Sequence, residues 1–230
     1  MTEFTFLLPC LNESNSIEFC LNEIKDTVNR LGIIAEILVA DNGSDDGSPE
    51  IAKGCGARVI TVAKRGYGAT LIQGIKEARG KYIIMGDSDG TYDFSKVDDF
   101  ISKLREGSKL VMGNRFKGGI EKGAMPFLHR LGVPMLSVFA RLRFRVRVKD
   151  FHCGLRAFDR EKALSLDLRC EGMEFATEII AKFAKSGAKI SEVPTPLRKD
   201  RRMGKEAHLR TFRDGFRHLY FIVFNKPLSK

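Results

Sequence analysis

Two aspartates spaced one residue apart are the groups in this chain with the clearest chemical potential. Asp87 and Asp89 follow the apolar run 81–85 and precede Gly90. Such a run predicts a buried strand that delivers both carboxylates to an open sheet edge. Carboxylates this close repel each other unless a cation separates them, and Mg²⁺ or Mn²⁺ would also keep positions for phosphate oxygens. The alternative is a turn at a strand end, because Asp, Ser and Gly are turn formers.

The elements around this pair alternate between strands and helices. This alternation predicts an α/β fold with a mostly parallel sheet flanked by helices. Ligands of such sheets bind beyond the carboxyl ends of the strands, where Pro9, Asp41 and Asp87 all stand. Ser14 is expected to cap the first helix. The predicted strands cover residues 4–8, 33–40, 58–62, 81–86, 110–113 and 190–193.

The composition combines a moderate length with a strong excess of positive charge. The chain has 230 residues, 43% hydrophobic content and a formal net charge of +10. These values suit a single domain, 1–230, with a full core. The charge predicts an anionic partner such as nucleic acid, nucleotide phosphates or an acidic membrane surface. The basic residues concentrate from Arg115 onward without a helix-turn-helix, zinc-finger or RNA-stacking signature, so nucleic acid is not an expected partner.

The cysteines and the ends of the chain bear on location. Five cysteines without a C-x-x-C pair argue against a disulfide framework or a zinc site and for a reducing compartment. Met1 leads directly into a strand-like run rather than a signal peptide, and the apolar run 219–224 is far shorter than the roughly 20 residues of a membrane span. We therefore expect a cytoplasmic protein that is peripheral at the inner face of a membrane.

Six motifs in a fixed order resemble family 2 of the inverting glycosyltransferases, and within it the dolichyl- or undecaprenyl-phosphate sugar synthases. The resemblance implies a GT-A fold, a UDP- or GDP-sugar donor, a divalent cation and a polyprenyl phosphate acceptor. It assigns residues 1–94 to nucleotide-sugar and metal binding and 95–230 to the acceptor and the membrane surface. The motifs are LPCLNES (8–14), VADNGSDDGS (39–48), RGYGAT (65–70), GDSDGTYDF (86–94), GNRFKGG (113–119) and DFHCGLRAF (150–158).

The same resemblance assigns the donor site. The loop after the first strand would hold the base and ribose, and Asp41 would accept hydrogen bonds from the nucleoside. Asp87 and Asp89 would meet the metal and the diphosphate, while Thr91 stands where many relatives have a glutamine. Residues of the first loop also suit a helix start, and the G-x-G also suits a flexible turn. The expected nucleotide-sugar ligands are Pro9, Asn12, Glu13, Asp41, Gly66, Gly68, Asp87, Ser88 and Asp89.

The resemblance also implies a catalytic group in the second half of the chain. Arg115 matches a residue that contacts the acceptor phosphate, Asp150 matches an acid proposed as catalytic base, and Arg156 is a second phosphate-facing candidate. A phosphate monoester hardly needs a base, because its second pKa of about 6 leaves it mostly dianionic. Asp150 would then orient a group such as Arg156 instead of removing a proton. Glu174 and Glu178 lie one helical turn apart and are expected on a solvated helix face, the alternative being that they approach the site.

Residues 125–148 suggest a lipid contact. Apolar residues at helical spacing alternate there with arginines, which suits either an anionic membrane surface or an ordinary core-facing helix. Pro126 and Pro134 are expected to limit this stretch to short helical pieces. The segment 212–224 has a similar mixture and is a candidate second contact. The basic segment 199–205 is expected to close over the diphosphate.

Two other functions fit the same motifs. The fold could transfer sugar to a saccharide, protein or glycerolipid hydroxyl, or it could bind a nucleotide sugar without catalysis. Many proteins of the resembled type continue into transmembrane helices, whereas this sequence ends at Lys230. A naturally soluble form, a membrane-anchored partner and a homo-oligomer therefore all remain open.

Overall fold

A seven-stranded sheet forms the centre of the protein in the computed structural model, which describes residues 2–202 and 211–224. The strand order is β3-β2-β1-β4-β6-β5-β7. β6 is antiparallel to both of its neighbours, and the other pairs are parallel. The prediction of a mostly parallel α/β sheet is therefore confirmed. The strands are β1 Phe4–Cys10, β2 Ala35–Asp41, β3 Arg58–Thr61, β4 Tyr82–Met85, β5 Leu110–Asn114, β6 Arg156–Asp159 and β7 Ile190–Pro194.

Helices cover both faces of the sheet because successive strand residues point to opposite sides. Phe4, Phe6 and Leu8 of β1 belong to a core with α1, α2 and α4, whereas Leu7 belongs to a second core with α3, α6, α8 and α9. A 3-10 turn, Phe94–Lys96, precedes α4. The helices are α1 Ile17–Leu31, α2 Ser48–Gly54, α3 Tyr67–Glu77, α4 Asp98–Arg105, α5 Arg115–Gly118, α6 Phe127–Phe144, α7 Arg160–Leu164, α8 Phe175–Lys185 and α9 Thr211–Phe224.

The parallel register of the neighbouring strands β2, β1 and β4 brings their carboxyl ends to one edge. Cys10 of β1 pairs with Asp41 of β2, and Leu7 of β1 pairs with Met85 of β4. Asp87 therefore follows β4 at the edge where β1 and β2 also end. This is the convergence that the alternating pattern predicts.

Two expectations about helices are wrong. α6 is one helix of 18 residues that passes through Pro134, because a single proline removes only one backbone hydrogen bond. Pro126 precedes its first turn, where the missing N–H has no intrahelical partner in any case. α1 follows Ser16 rather than Ser14, and the Ser16 hydroxyl donates to the Glu13 carbonyl instead of capping the helix.

Candidate active site

A cavity of about 720 Å³ lies at the edge where β1, β2 and β4 end. The loops after these strands supply one part of its wall, and the N-terminal turn of α3 supplies another. The turn before α8, Arg202 and the start of α9 complete it. Its lining residues are Pro9, Cys10, Leu11, Glu13, Asn42, Arg65, Gly66, Tyr67, Thr70, Asp87, Ser88, Asp89, Gly172, Met173, Arg202, Arg213, Asp214 and Arg217.

The two aspartates of the D-x-D motif both reach this cavity but have different partners. The Tyr67 hydroxyl donates to Asp87 Oδ1 at 3.0 Å. Burial, together with the charge of Asp89, raises the pKa of Asp87 to about 6. Asp89 Oδ1 accepts from the backbone N and the hydroxyl of Thr91, at 3.0 and 2.6 Å. Thr91, where many of the resembled proteins have glutamine, thus orients Asp89.

Arg202 brings a positive charge to the same carboxylates. Its Nη2 lies 2.9 Å from Asp89 Oδ2, and its Nη1 lies 3.6 Å from Glu13 Oε1. Burial raises the pKa of Glu13 to about 7 even though Arg202 acts to lower it. The backbone N of Arg201 also donates to the Asp89 carbonyl at 2.8 Å. The described part of the basic segment, 199–202, therefore folds onto the D-x-D turn, and 203–205 lie outside the described residues.

The glycines at the start of α3 have separate roles. The N–H of Gly66 donates to Asn42 Oδ1 at 2.9 Å, and Gly66 lines the cavity. Its φ is +137°, and an added Cβ would lie 2.3 Å from the Glu171 carbonyl oxygen. A Cβ on Gly68 would lie 2.0 Å from the Cys170 carbonyl oxygen. Gly68 is therefore a close-packing position outside the cavity lining.

Of the other residues expected to bind the nucleotide sugar, two line the cavity and two do not. Pro9 and Ser88 line the cavity, and the Ser88 hydroxyl donates to the Pro9 carbonyl at 2.7 Å. Asp41 instead accepts from the backbone N of Gly43 at 2.9 Å and from the Ser44 hydroxyl at 2.6 Å. Asn12 has a left-handed φ of 58°, and its Oδ1 accepts from the backbone N of Asp45 at 2.9 Å. Asp41 and Asn12 thus shape the loops behind the cavity wall.

Arg115 and Asp150 form a buried ion pair outside that wall. Arg115 Nε and Nη2 donate to the two carboxylate oxygens of Asp150, each at 2.8 Å. Asp150 is 0% exposed and Arg115 is 8% exposed. The backbone N of Arg115 adds a third bond at 3.1 Å. Asp150 therefore orients the guanidinium that the sequence resemblance places near an acceptor phosphate.

Arg156 occupies a different environment. Its guanidinium donates to the carbonyls of Cys153, Ala176 and Phe151 at 2.7, 2.8 and 3.2 Å. The residue is 1% exposed. Burial lowers the pKa of Arg156. In this arrangement Arg156 joins β6, the preceding loop and α8, and it does not line the cavity.

Several cavity residues have no signal in the linear pattern. Tyr67, Asn42 and Arg65 lie inside motifs, but the sequence does not show which side chain of a motif faces inward.

Glu174 and Glu178 are each 1% exposed, so the expectation that they lie on a solvated helix face is wrong. Glu174 binds Arg217, whereas Glu178 accepts from the backbone N of Arg169 and of Cys170. The spacing of two acids along a helix does not show whether they are buried or solvated.

The donor set at the cavity suits a hard divalent cation. Among the described residues, no group of three or more His, Cys, Asp or Glu side chains has an arrangement that would enclose a metal ion. Asp87 and Asp89 provide two carboxylates beside an open cavity. Mg²⁺ is typically held by one or two carboxylates together with substrate phosphates and water. Both residues therefore fit a cation that completes its coordination with a bound ligand.

The sheet order and its helices define a GT-A type fold. A crystal structure of glucosyl-3-phosphoglycerate synthase from Mycobacterium tuberculosis, in complex with Mn²⁺, UDP and glucosyl-3-phosphoglycerate, superposes with a TM-score of 0.78. The match covers 99% of this chain and 82% of that chain at 22% sequence identity. At this identity the likeness establishes the fold alone.

The sequence comparisons then establish the family. Residues 5–165 match Glycosyl transferase family 2, and the chain belongs to that family. It is 38% identical over 224 residues to the low-salt glycan biosynthesis hexosyltransferase Agl6 of Haloferax volcanii, covering 96% of this chain but 53% of that protein. It therefore spans about half the length of that relative. A dolichyl-phosphate hexose transferase of the same organism is 31% identical over 203 residues, with 86% of each chain covered.

Proposed function

We propose that the protein is an inverting hexosyltransferase that moves a hexose from UDP or GDP to a polyprenyl phosphate at the cytoplasmic face of a membrane. The observation that carries this proposal is the position of Asp87 and Asp89 in a cavity at the carboxyl ends of β1, β2 and β4. Family membership supports glycosyl transfer, and the relative named dolichyl-phosphate hexose transferase supports the acceptor class.

The donor would occupy the cavity together with Mg²⁺ or Mn²⁺. Asp87 and Asp89 would hold the cation, which when bound would neutralise charge on the leaving diphosphate. Mn²⁺ and UDP occur together in the complex of the similar mycobacterial synthase. Arg202, already 2.9 Å from Asp89, would stabilise the same charge. A planar guanidinium suits this task because it can bind two phosphate oxygens at once.

The ion pair of Arg115 and Asp150 has a proposed role in binding the acceptor. Inversion requires in-line attack on the anomeric carbon while the nucleoside diphosphate leaves from the other side. A phosphate acceptor arrives largely dianionic, so a proton-removing group contributes little. We propose that Arg115 binds this phosphate and that Asp150, through its two carboxylate bonds, fixes the direction of the guanidinium. Arg156 would support the same loop from within the fold.

The membrane contact is proposed for α6 and α9, which pack together through Phe144 and Phe221 at a ring-centroid distance of 6.3 Å. Among the described residues, none of the helices has the length and apolar character needed to cross a bilayer. The exposed basic residues of 130–149 are Arg130, Arg143, Arg145, Arg147 and Lys149. The exposed large apolar residues of the two helices, which we call the apolar face, are Phe127, Leu128, Leu131, Met135, Val138, Phe139, Leu142, Phe216, Leu219, Val223 and Phe224.

A radiolabel transfer assay tests the proposal. UDP- and GDP-hexoses would be paired with a short polyprenyl phosphate, in the presence of Mg²⁺ or Mn²⁺ and, in parallel, with a chelator. We expect metal-dependent label in the organic phase for one of the donors. Label only on a free sugar, a protein or a glycerolipid would assign the same fold to a hydroxyl acceptor. Donor binding without transfer to any acceptor would instead identify a nucleotide-sugar-binding protein.

A further inference from the structure

Helix α9 has an unusual distribution of polar and apolar residues. Asp214 and His218 are 8% and 5% exposed, whereas Phe216 and Phe224 are each 58% exposed. α9 buries Phe221 and Ile222 in the core, as an ordinary surface helix buries apolar residues, but it buries these two polar residues as well. Asp214 and Arg217 both line the cavity. The polar side of α9 thus forms part of the wall of the site.

A buried ion pair fixes this polar side against the start of α8. Arg217 Nε and Nη2 donate to the two carboxylate oxygens of Glu174, each at 2.6 Å. Burial acts to raise the pKa of Glu174, but the hydrogen bonds from Arg217 keep it below its ordinary value. The Thr177 hydroxyl and His218 Nδ1 form a further hydrogen bond of 2.9 Å between the two helices. Glu174 therefore holds the Arg217 guanidinium in one orientation.

Gly172 allows the close approach of this pair to the cavity wall. A Cβ built on Gly172 would lie 2.5 Å from Arg217 Nη2 and 2.5 Å from Glu174 Oε2. Any larger residue would push the guanidinium away from its position. This wall of the cavity therefore presents the Gly172 backbone, the Arg217 guanidinium and the Asp214 carboxylate beside the Met173 side chain.

We propose that Asp214 and Arg217 bind hydroxyl groups of the donor hexose and determine which hexose is accepted. This inference rests on the proposed function. A carboxylate only accepts hydrogen bonds and a guanidinium only donates them. Together they can therefore bind one sugar hydroxyl as a donor and another as an acceptor. Arg217 uses two of its nitrogens on Glu174, and the guanidinium carries further N–H groups on Nη1. The proposed function puts the nucleoside and diphosphate at the strand-end loops and the D-x-D turn, and this wall is then the part of the cavity that remains for the sugar.

Replacement of Asp214 by Asn tests the assignment, because the amide keeps the shape and loses the charge. Calorimetric titration with Mn²⁺ would compare bare UDP and GDP with the corresponding hexose conjugates. We expect affinity for the bare nucleotide to stay within about twofold of wild type and affinity for the preferred nucleotide-hexose to fall by about tenfold. Asp99→Asn, an exposed acid on α4, is the matched control and should change neither affinity.

Equal losses for nucleotide and nucleotide-hexose, or no loss for either, would overturn the inference while leaving the proposed function intact. If the wild-type protein bound no nucleotide, that result would instead contradict the proposed function. Arg217→Lys provides a second variant, which keeps the charge but lacks the fork that binds Glu174. A third measurement needs no variant. The wild-type protein should distinguish gluco and galacto epimers on one nucleotide, and equal affinities for both would contradict a sugar-selecting wall.

Discussion

At the scale of single residues, the site gathers carboxylates where burial opposes their charge. Burial raises the pKa of Asp87 to about 6 and that of Glu13 to about 7. Arg202 offsets part of this cost by contacting Asp89 and Glu13. The ionised form of these carboxyls therefore carries an electrostatic strain that a divalent cation would relieve.

Asp87→Asn measures this strain. A carboxyl with a raised folded-state pKa stabilises the fold only while protonated, so its contribution is lost as pH rises from the ordinary value of 3.8 through about 6. Without metal at neutral pH, the variant should therefore be more stable than wild type by up to about 3 kcal/mol. Denaturant unfolding across pH measures the difference, and added Mn²⁺ should stabilise wild type only. A less stable variant at neutral pH would contradict this account.

Asp150→Asn separates orientation of Arg115 from base catalysis. The change leaves a buried guanidinium without its counter-charge, so we expect a loss of about 3 kcal/mol in unfolding free energy. If Asp150 only orients Arg115, the folded variant should still transfer sugar measurably at about pH 8, where the proposed phosphate acceptor would be dianionic. Asp98→Asn, which removes an exposed ion pair with Arg30, is the control and should change little. Complete loss of transfer by folded variant would instead identify Asp150 as a base.

The sequence predicts part of this residue-level arrangement. Asp41, Asp87 and Asp89 follow apolar runs, so their positions at strand ends follow from the pattern. The contact between Arg202 and Asp89 spans 113 residues, and no local pattern specifies such a pairing. Asp41 stands where expected but turns toward its own loop, because the orientation of a side chain depends on hydrogen bonds that a sequence does not show.

At the scale of elements, the segment 199–202 acts as a cover on the D-x-D turn. Its backbone binds the Asp89 carbonyl through Arg201 N, and its Arg202 side chain binds the Asp89 carboxylate. Arg202 therefore stands beside the carboxylate that a cation would use. Cation binding and this ion pair should compete for Asp89, and the same guanidinium would then be available to the diphosphate of the proposed donor.

Arg202→Ala tests that competition. Without nucleotide, the variant should bind Mn²⁺ about tenfold more tightly, because Asp89 loses a charged partner. With Mn²⁺ present, the same variant should bind UDP or GDP more weakly, because a phosphate-binding group is absent. Titration followed by electron paramagnetic resonance measures free Mn²⁺ directly. Arg201→Ala is the neighbouring control, since its guanidinium lies over the Phe19 ring at 3.7 Å. Unchanged Mn²⁺ affinity in Arg202→Ala would exclude the competition.

The sequence pattern predicts some strands and helices well and misses others. Strands β1, β2 and β4 are apolar runs and are predicted close to their observed bounds. β6 has four residues with Arg156 and Asp159 at its ends, too short and too charged to register as a strand. α6 crosses Pro134 because its packing on α8 and α9 outweighs one missing backbone bond.

At the scale of the whole molecule, charge and exposed apolar surface reinforce each other. The chain has a net charge of +10, and exposed arginines accompany the apolar face of α6 and α9. Monomeric proteins rarely expose so many large apolar side chains together. An anionic lipid surface would satisfy both features, since headgroups attract the basic residues and acyl chains cover the apolar ones.

Vesicle binding tests this combination. Leu131 and Leu142 are 54% and 74% exposed, and changing both to Glu should weaken binding to anionic vesicles by about 100-fold. Ile34→Glu is the control, because Ile34 is 64% exposed but lies outside the apolar face. Added salt or neutral vesicles should also weaken wild-type binding. Equal binding by the double Glu variant and wild type would show that α6 does not contact the membrane.

The contact between the start of α3 and the turn before α8 has a consequence for protein engineering. Gly66 and Gly68 meet the carbonyls of Glu171 and Cys170 with no space for a Cβ, and the N–H of Ala69 donates to the Glu171 carbonyl at 3.1 Å. The first and last thirds of the chain are therefore fitted backbone to backbone. Chimeras that exchange specificity between relatives should inherit both segments from one parent, since a crossover between them would combine surfaces that were never matched.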